Sequence, residues 1–260
     1  MTTPTPTPPP GRDLLRDKVV LVTAAAGTGI GSATALRCLE EGAEVAISDR
    51  HERRLAETAE RLAEQTGRKP LTVACDVTDE EQVRRMVAAT AETFGRLDVL
   101  VNNAGLGGSA NIMEMTDEQW STVLDVTLTG TFRCTRAALA VMAEQRSGVI
   151  VNNASVIGWR AQKEQAHYAA AKAGVMALTR CSAMDVAHLG IRVNAVSPSI
   201  AAHHFLAKVT TTELLDELAS REAFGRAAEP WEVATVIAFL ASDYSTYMTG
   251  EVVSVSSQHP

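Results

Sequence analysis

Two rhythms of apolar residues alternate along the chain. Short runs of Val, Ile, Leu and Ala fall at Lys18–Thr23, Glu44–Ser48, Leu71–Cys75, Leu97–Val101, Gly148–Asn153, Arg192–Val196 and Glu251–Val255. They are apolar on both faces, which predicts buried parallel strands rather than half-exposed ones. Longer stretches of helical pattern lie between them, such as Ser32–Glu41 and Glu52–Thr66. In another, TDEEQVRRMVAATAETFG, Thr78 is the expected N-cap, Glu81 stands at the capping-box spacing and Gly95 supplies the stop. Strand and helix in turn predict an α/β fold: a Rossmann-type doubly wound sheet of seven parallel strands, with helices on both faces and right-handed crossovers. No linker or repeat interrupts the pattern after residue 12, so residues 13–260 read as a single domain. Residues 1–12, rich in Pro and Thr, read as a disordered tail that lacks the basic start and apolar core of a signal peptide.

Composition narrows the function. The 260 residues are 46% hydrophobic and 21% charged, ample for a sizeable core. A net charge of −7 argues against a nucleic-acid surface but leaves room for a local basic patch. No apolar run approaches the roughly 20 residues that a membrane span needs. Cys38, Cys75, Cys134 and Cys181 are scattered without a C-x-x-C pair, so they read as reduced packing cysteines in a cytoplasmic protein, with no metal site.

The first strand leads into a turn containing Gly27, Gly29 and Gly31, and then into a helix. Glycines there let the backbone approach a pyrophosphate, while the helix N-terminus offers free N–H groups. Asp49 ends the second strand, 18 residues past Gly31, where a carboxylate can hold the adenosine-ribose hydroxyls of NAD and repel a 2′-phosphate. The adjacent Arg50 could instead contact that phosphate, which keeps NADP open as the less favoured cofactor.

From Lys18 to Val255 the sequence resembles the short-chain dehydrogenase/reductase family. The family turn T-G-x-x-x-G-x-G is matched by Thr23, but Ala24 replaces the first glycine and one extra residue precedes Gly29-Ile30-Gly31. CDVTD places Asp76 and Val77 where the family meets the adenine; a loop or capping acid is the plainer reading of Asp76. NNAG brings Asn103, Ala104 and Gly105 to the segment that lines the cofactor. Ser155, then Tyr168 after 13 residues, then Lys172 in YAAAK match the family's catalytic serine and Y-x-x-x-K. Pro198 and Ile200 stand at the family's P-G turn, here Pro198-Ser199, with Ile200 placed to offer backbone groups to the carboxamide.

Residues four apart share a helix face, so Tyr168 and Lys172 can point into one cleft. A neighbouring ammonium, together with an oxidised nicotinamide, is expected to draw the tyrosine below its ordinary pKa of about 10. Tyr168 then exchanges the proton, Ser155 holds the substrate oxygen, and Lys172 also reaches the nicotinamide ribose, as the resemblance implies. The family's fourth catalytic residue, an asparagine, is replaced by Thr127, a weak candidate with one hydroxyl in place of an amide.

The segment at about 199–225 looks like the family's substrate lid, with Phe205, Leu206, Leu214, Leu215 and Phe224 giving an apolar cover. Trp159 could wall a bulky alicyclic substrate or pack in the core, and Arg160, Lys163 and Lys208 could meet a CoA phosphate or be surface charge. His203 and His204 read as lid residues, not metal ligands. Strings such as NNASVIGWRAQ and AFGRAAEPWEVA resemble a family subgroup acting on the last two steroid rings, which implies a bicyclic indane carboxyl-CoA thioester as substrate. A 3-oxoacyl thioester reductase is the enzymatic alternative, and a non-catalytic dinucleotide sensor or scaffold is the other. Leu139, Val141 and Met142 read as apolar surplus for subunit packing; the family implies a homotetramer, with a dimer as the alternative.

Overall fold

The computed structural model describes residues 4–202 and 212–257. All seven expected strands are present: β1 (Val19–Val22), β2 (Glu44–Asp49), β3 (Leu71–Ala74), β4 (Val99–Asn102), β5 (Gly148–Asn153), β6 (Ile191–Pro198) and β7 (Val252–Val255). Every pairing is parallel, in the order β3-β2-β1-β4-β5-β6-β7. The helices are α1 (Ile30–Glu40), α2 (Glu52–Thr66), α3 (Glu80–Phe94), α4 (Asp117–Leu124), α5 (Gly130–Gln145), α6 (Ala166–Val186), α7 (Thr212–Arg221) and α8 (Pro230–Ala241). None of them is long and apolar enough to cross a membrane.

Strand alternation sorts the core into two layers. Val20, Val22, Val99 and Val101 pack with Leu39, Leu55, Val233 and Ile237 on the side of α1, α2 and α8. Leu21 and Leu100 point the other way, among Val83, Met86, Cys134 and Ile150. Each fully buried side chain of this kind contributes about 2 kcal/mol, so the strand ends are held on a stiff platform. From β1 the chain runs outward to β3, then returns to β4 on β1's other side. That reversal opens a crevice at the carboxyl ends of β1 and β4.

Several local expectations are corrected. Asp79, not Thr78, caps α3: its carboxylate accepts from Glu81 and Gln82 N–H at 2.9 and 3.1 Å. The Thr78 hydroxyl is occupied instead, donating to Asp76 at 2.7 Å. The end of the tail is docked rather than loose. Arg37 donates to the carbonyls of Pro9 and Pro10, while the N–H groups of Arg12 and Leu14 donate to Glu41 at 2.7 and 3.0 Å. Met142, expected on an outward face, is fully buried beneath Gly148, where an added Cβ would come within 2.4 Å of its sulfur. Leu139 and Val141 pack against the same cluster. Cys181 is exposed, whereas the other three thiols are buried, and burial pushes Cys75 up to about 11.

Candidate active site

The glycine turn lies at the switch point. Thr23 is fully buried, and its hydroxyl accepts the N–H groups of Asn103 and Ala104 at 3.0 and 3.1 Å, tying β1 to the end of β4. Ala24, standing where the family has glycine, takes a left-handed φ of 49°. Gly27 has φ 96°, and the turn around it is braced from α2: its N–H donates to Thr58 at 2.9 Å and its carbonyl accepts from Arg61. Gly29 caps α1 without a side-chain hydrogen bond, and no acid lies in the first turn from Ile30. A Cβ on Gly31 would stand 2.5 Å from the Ala24 carbonyl oxygen, so only glycine fits that approach. An uncapped helix start over a bare glycine turn suits an anionic diphosphate.

Asp49 flanks this turn, accepting from His51 N–H at 2.9 Å and Ala26 N–H at 3.4 Å. Arg50 is exposed, with its Nε 3.4 Å from the ring of His51. One oxygen of Asp76, Oδ1, accepts from both the N–H and the hydroxyl of Thr78. The side chain of Val77 is turned into the core, against Gly130, leaving only backbone groups for a ligand. Pro198 ends β6, and the Ile200 carbonyl accepts from Ala228 N–H at 2.9 Å. Together the turn, Asp49 and the ends of β4 and β6 fit a dinucleotide.

Ser155, Tyr168 and Lys172 converge beside this crevice. Ser155 is 9% exposed and opens the single turn Val156–Gly158, where its Oγ accepts Ile157 N–H at 3.3 Å. Lys172 lies one helical turn after Tyr168, 3% exposed, with Nζ 5.6 Å from the phenol ring centre and donating to the Asn153 carbonyl. Burial lowers Lys172 to about 8. Burial also pushes Tyr168 up to about 12, opposed by a hydrogen bond with the Ser155 hydroxyl. Without a nicotinamide beside it, the phenol is desolvated more than it is stabilised. It is held neutral, as a proton donor.

Thr127 is fully buried in a π-helical turn, Asp125–Thr129, between α4 and α5. Its hydroxyl accepts Leu106 N–H at 2.9 Å and donates to the Leu106 carbonyl at 3.1 Å. Both hydrogen-bonding directions are spent on the loop after β4, so Thr127 braces that loop instead of facing a substrate. The loop needs the brace because Gly105 and Gly107 lie against Lys172 and Tyr168: added Cβ atoms would sit 3.4 Å from Nζ and 3.8 Å from the phenol ring.

Trp159 is 41% exposed, which removes it from the core and leaves it four residues from Ser155 on the open side. Arg160 is half-buried beside it, and Lys163 is exposed next to Glu164. His203, His204, Phe205, Leu206 and Lys208 lie outside the described residues. Sequence reasoning missed Thr58, Arg61 and Asn153; the repeat of NNAG as NNAS on the neighbouring strand was the available signal for the last. A separate cavity of about 530 Å³, lined by Lys18, Asp98, Arg192 and Asp243, lies at the opposite ends of the strands, away from these residues.

Comparison with known proteins gives this arrangement its class. A family model described as enoyl-(acyl carrier protein) reductase matches residues 24–257, and the chain belongs to the short-chain dehydrogenase/reductase family of oxidoreductases, which bind a nicotinamide dinucleotide. Among its relatives is the (5R,7aS)-5-hydroxy-7a-methyl-1-oxo-2,3,5,6,7,7a-hexahydro-1H-indene-carboxyl-CoA reductase of Mycobacterium tuberculosis, 65% identical over 96% of both chains. A solved short chain dehydrogenase from Mycobacterium smegmatis is 60% identical with a TM-score of 0.88, covering 99% of each chain. A 3-oxoacyl-[acyl-carrier-protein] reductase of Thermotoga maritima is more distant, 41% identical over 93% of this chain and 97% of its own.

Proposed function

We propose that this protein is a cytoplasmic, NAD(H)-dependent enzyme that interconverts a ketone and a secondary alcohol on a bicyclic indane carboxyl-CoA thioester. The observation that carries the reaction is the convergence of buried Ser155 and Lys172 with half-buried Tyr168, against Gly105 and Gly107 on the loop after β4. When bound, the nicotinamide supplies or accepts the hydride. In reduction, the neutral phenol of Tyr168 gives its proton to the carbonyl oxygen, which the Ser155 hydroxyl holds in line. The resulting phenolate is stabilised by the Lys172 ammonium and the Ser155 hydroxyl, then takes a proton back from solvent. In oxidation the same phenolate is the base.

Support for the substrate is the relative at 65% identity, set against 41% for the 3-oxoacyl reductase. Half-exposed Trp159 offers an aromatic wall for fused rings, and Arg160 and Lys163 lie beside it for an anionic handle. NAD is favoured by Asp49, while Arg61 is engaged with the Gly27 carbonyl. A homotetramer is supported by exposed apolar side chains, Trp120 on α4, Phe132 on α5, Met184 on α6 and Tyr247 just before β7. An intact serine, tyrosine and lysine argue against a mere sensor or scaffold. The test is NADH oxidation with a bicyclic keto-indane carboxyl-CoA, its free acid and a linear 3-oxoacyl-CoA. Preference for the bicyclic thioester is expected; preference for the linear one would overturn the substrate.

A further inference from the structure

Ala24 holds a backbone conformation that L side chains rarely adopt, and the structure shows what keeps it there. Asn103 donates through Nδ2 to the Ala24 carbonyl at 3.0 Å and to the Thr23 carbonyl at 3.2 Å. With that amide nitrogen spent on two carbonyls, the Asn103 oxygen must face the other way. Asn153, across from β4 on β5, donates its Nδ2 to this oxygen at 3.0 Å. The ladder runs from the turn through the end of β4 to the end of β5, where the Asn153 main-chain carbonyl accepts from Lys172. The single side-chain oxygen of Asn153, Oδ1, is buried with no hydrogen-bond partner. An apolar residue would avoid that penalty, so the amide is retained for its donor.

We propose that Asn153 is a positioning residue for cofactor binding: through Asn103 it holds Ala24 in the left-handed conformation that shapes the diphosphate turn. This rests on the reading of that turn as the dinucleotide site. The ladder does for Ala24 what a glycine would do without help.

A double-mutant cycle tests it on the full-length protein. NADH affinity is measured by fluorescence titration for wild type, Asn153→Leu, Ala24→Gly and the double variant, with the melting temperature of each. Asn153→Leu is expected to weaken NADH binding about tenfold when residue 24 is alanine, the factor that matches losing hold of one left-handed alanine. In the Ala24→Gly background the loss is expected to fall below about twofold. The change should appear in affinity and KM for NADH with kcat little altered, because the Lys172 contact is to the main chain. Equal losses in both backgrounds, or no loss, would overturn the proposal, since a general packing defect ignores residue 24. If Asn153→Leu does not fold, Asn103→Ala cuts the same ladder and should show the same rescue. Wild type that binds no NADH would remove the cofactor reading and this proposal with it. Binding without dependence on residue 24 would remove the proposal alone.

Discussion

Lys172→Met isolates the energy of holding a cation in the core. Burial lowers the lysine from 10.5 to about 8. At about 1.4 kcal/mol per unit, keeping it protonated in the folded protein near pH 7 costs roughly 3 kcal/mol. Methionine has similar length and no charge, so it removes that cost but leaves the Asn153 carbonyl without its donor, a loss of about 1 kcal/mol. The inactive variant should therefore be about 2 kcal/mol more stable than wild type near neutrality. The sign of the pH dependence follows from proton counting. Below pH 8 both folded and unfolded wild-type chains carry the proton, and the penalty is complete. Between 8 and 10.5 the unfolded chain keeps a proton that the folded one has released, so wild-type stability rises with pH. The advantage of methionine should shrink through that window and reverse near its top. Urea unfolding at pH 6.5, 8 and 9.5, at equal protomer concentration, measures it. A variant less stable at pH 6.5, or an advantage that ignores pH, would refute the reasoning.

The Thr127 hydroxyl makes both hydrogen bonds to Leu106, so Thr127→Val should cost about 2 kcal/mol of stability and lower kcat, whereas Thr127→Ser should cost much less. Thermal unfolding and steady-state rates compare the two; equal behaviour would show that the hydroxyl is not the brace. Asp49→Ser should raise KM for NADH and narrow the preference over NADPH by about tenfold or more. An unchanged NADH/NADPH ratio of kcat/KM would remove Asp49 from cofactor selection.

The strands were legible because a parallel strand buried on both faces needs apolar residues at successive positions, and seven such runs exist. From the sequence, Asp49 is placed by the end of the second strand and Tyr168 and Lys172 are paired by one helix turn, whereas Ser155, 13 residues before Tyr168, is picked out only by the family resemblance. What the sequence hid is tertiary. Thr78 and Asp79 are both good caps, and only the prior use of Thr78 by Asp76 decides between them. The brace from Thr127 joins positions 21 apart, and the amide pair of Asn103 and Asn153 joins positions 50 apart on neighbouring strands. The upward shift of Tyr168 comes from burial that no linear spacing expresses. Ala24 in place of glycine marked the turn as unusual, but its holding partner, Asn103, lies just past the fourth strand.

The most direct test of the central claim follows the hydride and the proton together. NADH carrying deuterium at the transferable position is incubated with the bicyclic keto thioester and wild-type or Tyr168→Phe protein, and the alcohol is weighed by mass spectrometry. Wild type should yield an alcohol heavier by about one mass unit, and Tyr168→Phe should form it about 100-fold or more slowly while still binding NADH. Unlabelled alcohol from wild type, or undiminished turnover without the phenol, would contradict hydride transfer at a centre whose proton comes from Tyr168.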